Sequence, residues 1–379
     1  MKLESEKVFL EDVKPILEKL VSIPSITGNE HEIASYTTKY LSKLGFKVEK
    51  IPVKGCGPTV FAYYRFSLKG LNLLFYGHLD TIKPVKGWKY PPFKPTTIKN
   101  RLYGLGACDM KGGVSAILAA LKKILKMKLT GCLTIALTSD EELYSRGCYT
   151  LVKLGKLKGV DAAVSAEPTG LEKMEIGKVG RLVYDIMVYG RSGHATTQDF
   201  EDNALVDASK FILNLHKFLN SRKNLTVLAL SGGTEFLSTP DSCRIIVDRR
   251  IKLNENEKDA VRQIVELISK LKLKSKFKVK LFKRPTPYMK PYLISKKHLI
   301  VRVVEEACLR VKGVKPRKVF GFCVGDENYL VNKARIPTVT LGPEGGNEHA
   351  ANEYVKLDSV VDTANVYVET AKLFLKPKT

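Results

Sequence analysis

The strongest constraint on this chain is a set of short, nearly all-apolar runs, each followed by a segment that presents a carboxylate or a histidine. Residues 72–76, Asn-Leu-Leu-Phe-Tyr, show no polar alternation after the first position. That is the pattern of a strand buried on both faces of a parallel sheet. It runs into Gly77-His78-Leu79-Asp80-Thr81. The run 132–138 ends in Ser139-Asp140-Glu141-Glu142, the run 162–165 leads to Ala166-Glu167, and a later run ending near Leu341 precedes Glu348-His349. Residues 111–126 and 145–154 lie between the runs and read as helices. The alternation predicts an α/β fold with a doubly wound, mostly parallel sheet. Ligands of such sheets lie beyond the carboxyl ends of the strands, so these polar residues belong to one functional edge.

At 379 residues the chain exceeds one typical domain. Helical spacing also covers 13–21 and 33–41, and extended patterns cover 46–51 and 59–64. Near Gly177 to Gly180 the pattern changes: 182–188 alternates, 204–219 and 257–271 are helical, and 225–230, 243–251 and 277–282 are extended. We expect an α+β domain inserted as a lid over 179–291, ending in the proline-rich stretch 284–291, with the α/β core split into 1–178 and 292–379.

Each polar cluster has two readings. His78 and Asp80 suit a metal ligand with the carboxylate that orients it, or polar caps at a strand end. The segment Gly104 to Gly113 lacks the third glycine of a dinucleotide loop and the Gly-Lys-Ser/Thr of a phosphate loop. Its glycine-flanked Asp109 suits a cation, or caps the following helix. Asp140, Glu141 and Glu142 offer a metal ligand next to a free base, or an acidic first helical turn. Two imidazoles with three or four carboxylates and no thiolate suit a pair of divalent ions, zinc first, with cobalt and manganese as alternatives.

Composition narrows the setting. The seven cysteines are dispersed with no Cys-x-x-Cys pair, which speaks against a disulfide framework and a thiolate zinc site. No apolar run approaches the roughly 20 residues that cross a bilayer, and residues 1–13 lack the apolar centre of a secretion signal, so we expect a cytoplasmic protein. The formal charge of +24 has three explanations: contacts to nucleic acid, a thermophile's lysine-rich surface, or attraction of acidic substrates or an acidic partner. The first finds no helix-turn-helix signature, aromatic RNA motif or zinc-finger spacing to support it.

Taken in order, the motifs resemble those of the metal-dependent hydrolase family that includes acetylornithine deacetylase, succinyl-diaminopimelate desuccinylase, aminoacylase and carboxypeptidase G. The resemblance spans essentially the whole chain: residues 77–81 match the first motif, 104–113 the second, and Glu141-Glu142 the paired glutamates. It implies a zinc-peptidase-like catalytic domain with an inserted lid and dimerisation domain, and hence a homodimer. It further implies that His78 and Glu167 hold one metal ion, Glu142 and His349 the other, and that Asp109 bridges both. Glu141 would be the general base for a hydroxide bridging the ions, Asp80 the partner of His78, and the Asp109-Met110 peptide is expected to be cis. Within the insert, Gly190-Arg191-Ser192-Gly193-His194-Ala195 resembles the loop whose histidine, here His194, stabilises the oxyanion. The stretch Asp248-Arg249-Arg250 resembles the strand whose arginine binds a substrate carboxylate, a role placed on Arg249.

The implied reaction is hydrolysis of an N-acyl amino acid, as in acetylornithine deacetylase. Alternatives within the family are a desuccinylase, a dipeptidase or a carboxypeptidase, and from another class a catalytically silent basic binding protein. The partner would be the small substrate or an acyl group on an acidic carrier protein. Two departures bear on specificity. Desuccinylases carry Gly-Gly-Thr-Ser-Asp where this chain has Phe322-Cys323-Val324-Gly325-Asp326, and Leu237 replaces a lid asparagine.

Overall fold

The structure, a computed structural model, describes residues 7–196, 203–218 and 224–377. Positions 1–6 of the stretch read above for a secretion signal, and position 219 of the expected helix 204–219, lie outside them. The chain divides into two compact units. One comprises Met1–Lys178, Leu293–Gly321 and Gly325–Thr379, the other Val179–Tyr292 and Phe322–Val324. Among the described residues no helix is long and apolar enough to cross a membrane.

In the first unit the leading apolar run becomes the strand Asn72–His78, buried at every position after Asn72. Cys132–Thr138 and Ala162–Ser165 flank it in parallel, and Thr338–Thr340 lies parallel to the latter. The sheet follows the order Lys47–Ile51, Thr59–Arg65, Cys132–Thr138, Asn72–His78, Ala162–Ser165, Thr338–Thr340, Lys173–Lys178, and Arg317–Gly321 pairs in parallel with Lys173–Lys178. Its margin is antiparallel, because Thr59–Arg65 pairs in that sense with both its neighbours. The parallel centre has a direct consequence: three neighbouring strands end on one edge and deliver His78, residues 139–142 and Glu167 there.

The helix Gly112–Ile124 is buried almost all round and packs against Leu10–Ser22 and Leu357–Phe374. A helix apolar on every side belongs between layers, as this one is. Its start comes so close to the Glu167 segment that any side chain at Gly113 would collide with the Ala166 carbonyl. A small antiparallel sheet, in the order Gly345–Gly346, Tyr354–Lys356, Arg101–Tyr103, Thr96–Ile98, sets the loop 347–353 beside the segment 104–111. These strands are two or three residues long and show no period in the sequence. Nor does the sequence pattern announce the strand Lys173–Lys178, which lies where the periodicity changes.

The second unit is a wholly antiparallel sheet in the order Leu225–Gly232, Ser242–Ile251, Gly180–Tyr189, Lys276–Leu281. The helices Ala204–Phe218 and Glu257–Leu271 close its core, in which Tyr184, Ile186, Phe211, Ile245, Val247 and Ile264 are fully buried. Alternation along the strands gives the sheet one apolar face, and the helices cover it.

Candidate metal centre

The first unit gathers five of the sequence-selected residues into two clusters: His78, Asp109 and Glu167, and Asp109, Glu142 and His349. Within each cluster one donor atom per residue lies within 4.8 Å of the others. His78 closes the central strand and is buried. Its Nε2 stands 3.1 Å from Asp109 Oδ1 and 3.6 Å from Glu167 Oε1. His349 is half exposed, with Nε2 2.9 Å from Glu142 Oε2 and 3.4 Å from Asp109 Oδ2. Asp109 thus turns one oxygen to each imidazole. The Asp109-Met110 peptide is cis.

The side chains of the two clusters strongly shift one another's ionisation. Burial favours neutral His78, yet Asp109, Asp80 and Glu167 together hold its pKa well above the usual value. Asp109 and Glu142 hold His349 up at about 10. Burial favours the neutral form of Asp109, but His349 and His78 outweigh it and hold the carboxyl below its ordinary range. Glu167, Glu142 and Glu141 are all pushed upward, chiefly by burial. Several carboxylates at close quarters without a full complement of cations are costly, and bound divalent ions relieve that cost.

The surroundings show what the other carboxylates do. Asp80 is buried, and its carboxylate accepts N–H groups from Glu141 at 3.0 Å and Glu142 at 3.2 Å, and the Thr27 hydroxyl at 2.9 Å. His78 Nδ1 lies 3.0 Å from the Asp80 carbonyl oxygen but 3.5 Å from its carboxylate. Asp80 therefore steadies His78 mainly through its main chain, while its side chain fixes the backbone of the paired glutamates. Asp140, in a left-handed conformation at φ 64°, is neutralised by Arg146 through Nε at 2.7 Å and a terminal nitrogen at 2.8 Å. Buried Glu30 accepts the N–H of Asp140 at 3.2 Å and of Gly57 at 2.6 Å, and Glu353 binds the Asp109 turn. The sequence reading gave no role to Glu30, Arg146 or Glu353. Only the loop type hinted at Glu353, four positions after His349.

Two selected residues belong to the second unit. His194 bridges to Ser238 in the strand-like sense, and its Nδ1 lies 2.8 Å from Thr196 Oγ1. Arg249 is 4% exposed, and its guanidinium donates to Ala260 O at 3.1 Å, Glu255 Oε1 at 2.7 Å and Gln263 Oε1 at 2.6 Å. These internal partners occupy the fork that a substrate carboxylate would need, so Arg249 ties its strand to the helix Glu257–Leu271. Within the first unit a cavity of about 270 Å³, lined by Pro168, Thr169, Lys173, Glu175, Glu344 and Glu348 among others, adjoins Glu167 and His349 in sequence.

A mixed, centrally parallel sheet with an α+β insert and shared carboxylate–imidazole clusters defines the class of metal-dependent α/β hydrolases. The chain belongs to peptidase family M20/M25/M40, whose profile matches residues 74–373. It is 29% identical over 369 residues to a succinyl-diaminopimelate desuccinylase of Wolinella succinogenes, covering 93% of this chain and 97% of that one. Its fold is similar to a tripeptidase from Staphylococcus aureus, with a TM-score of 0.85 at 20% identity over 97% and 99% of the two chains. It is also similar to an M20 family metallo-carboxypeptidase from Sulfolobus solfataricus, with a TM-score of 0.79 at 21% identity over 96% and 99%.

Proposed function

We propose that this hydrolase cleaves the amide bond of a small, polar N-acyl amino acid, using two divalent ions held by the clusters that share Asp109. The observation that carries the reading is the division of the Asp109 oxygens between His78 and His349, at 3.1 Å and 3.4 Å. One imidazole and two carboxylates for each ion fit zinc, and also cobalt or manganese. His78 and Glu167 hold one ion, Glu142 and His349 the other, with Asp109 common to both. Bound ions of this kind act as Lewis acids on a carbonyl and lower the pKa of water.

The chain's own groups do the rest. Glu141 belongs to neither cluster but lies within electrostatic reach of His78, Glu167 and Glu142. It takes the proton of the attacking water and returns it to the departing amine nitrogen. Asp80 keeps Glu141 and Glu142 in register by binding both their N–H groups. His194 serves as the oxyanion donor, a role that rests on its loop sequence.

We take the cavity lined by Thr169, Lys173 and three glutamates, sequence neighbours of Glu167 and His349, as the place of the substrate, and its polar walls favour a polar substrate over a long-chain acyl amino acid. N-acetyl substrates such as acetylornithine come first because Phe322 to Asp326 lacks the threonine of the desuccinylase motif. The desuccinylase relative makes N-succinyl substrates the direct rival. The test loads the protein with zinc or cobalt and follows amine release from N-acetyl and N-succinyl amino acids and dipeptides. Turnover of dipeptides alone overturns the acylase reading, and turnover that survives complete chelation overturns the two-metal reading.

We also propose a homodimer formed through the second unit, whose edge strand Leu225–Gly232 exposes Leu228 and Leu230. A cytoplasmic setting fits the seven free cysteines.

A further inference from the structure

The turn that presents Asp109 is held by a carboxylate from a loop far along the chain. Glu353 is 2% exposed. Its Oε2 accepts the Gly106 N–H at 2.7 Å, and its Oε1 accepts those of Cys108 at 2.8 Å and Asp109 at 2.9 Å. Its own carbonyl oxygen accepts the Gly104 N–H at 3.0 Å. Gly106 adopts φ 75°, where a side chain would also press on Thr81, and this left-handed residue lets the turn aim several N–H groups at one carboxylate.

Four positions before Glu353, in the same loop, stands His349, itself left-handed at φ 59°. The loop that carries the second imidazole is therefore the loop that grips the shared carboxylate. Without that grip the Asp109 main chain could tilt, and a small rotation would move both carboxylate oxygens relative to His78 and His349. A buried carboxylate is costly unless its lone pairs are taken, and three N–H donors offset part of that cost here.

We propose that Glu353 is a positioning residue that locks the Asp109 turn to the His349 loop and so sets the aim of the shared ligand, a proposal that rests on the two-metal reading. Glu353 touches no reacting atom. Its effect passes through Asp109 and His349 and reads out in how tightly, and in what geometry, the ions are held.

The experiment compares the full chain with Glu353→Gln, which keeps the size of the side chain but sets an amide NH2 against backbone N–H groups. Zinc and cobalt affinities are measured by competition with a chromophoric chelator, and the visible spectrum of the cobalt-loaded protein reports ligand geometry. Both are recorded at a temperature where circular dichroism shows each protein folded. The expected result is a roughly 10- to 100-fold loss of affinity and an altered cobalt band, the usual effect of removing a partner that orients a metal ligand. Asn365→Ala, which removes the bonds to Val8, is the control for general loss of stability. Its affinity and spectrum should stay at the original values. Unchanged affinity and spectrum in Glu353→Gln overturn the proposal, as does an equal loss in Asn365→Ala at matched melting temperature. If Glu353→Gln does not fold, Glu353→Asp, one methylene too short to reach all three N–H groups, is read in the same way. An unsubstituted protein that takes up no divalent ion overturns the two-metal reading, and this proposal with it.

Discussion

Glu141 and Glu142 are neighbours in sequence with different partners: Glu142 meets His349, while Glu141 joins neither cluster. Replacing Glu141 by alanine should leave metal content intact and lower kcat by about 10³-fold, within the usual range for a general base. Retained turnover in a metal-replete variant would remove Glu141 from the mechanism. His349→Ala should lose one metal equivalent, checked by elemental analysis after gel filtration, because one cluster then keeps only Asp109 and Glu142. At this scale the sequence is most legible where side chains follow apolar strands, as with His78, Glu142 and Glu167. Asp109 and His349 stand out through their glycine-rich surroundings. Glu353 and Glu30 are silent because their partners are backbone N–H groups, most of them in distant turns. Arg249 looks available in the sequence, and only the structure shows Glu255 and Gln263 closing on it.

Among elements, a buried ion pair joins strand to helix. Lys178, the last residue of Lys173–Lys178, places Nζ 3.0 Å from Glu327 Oε2, with side chains 4% and 1% exposed. Glu327 opens the helix Glu327–Asn332 and also accepts the Thr340 hydroxyl at 3.0 Å. Burial works against its charge, but Lys178 prevails and holds the Glu327 pKa below the ordinary value of 4.5. A lowered carboxyl pKa adds stability at pH above the unfolded value, and that stability disappears as pH falls through the folded one. Glu327→Gln removes the nearer of two carboxylates around Lys178, the other being Glu175 with Oε2 at 3.5 Å, so it should destabilise by about 2 kcal/mol at neutral pH. The gap to the unsubstituted chain should narrow below about pH 4.5. Urea denaturation across pH measures both, and a gap that widens in acid would contradict the assignment. The large apolar strands and helices are legible from period and run length. The strand Lys173–Lys178 and the small sheet around His349 are not, because two or three residues carry no period and tertiary pairing alone makes them strands.

For the whole molecule, the open edge of the second unit and the charge of +24 carry the remaining predictions. Leu228 and Leu230 are 53% and 47% exposed on a strand that is the edge of its sheet among the described residues, a surface that favours pairing with another copy. Lysine at both positions should shift the chain from dimer to monomer in light scattering coupled to gel filtration. A monomeric unsubstituted protein would remove the dimer. If the positive field serves an acidic carrier protein, co-purification should weaken steeply as salt rises past about 0.15 M.

The order of the ligands along the chain has a consequence for synthesis. His78, Asp109, Glu142 and Glu167 all precede the second unit, whereas His349 and Glu353 follow it. Translation therefore completes the second unit's core before the cluster acquires its second imidazole. A polypeptide truncated ahead of Gly345 has Asp109 without the Glu353 carboxylate that binds its turn, so on the two-metal reading an unfinished chain should carry most of the proposed ligands and still fail to cleave substrate.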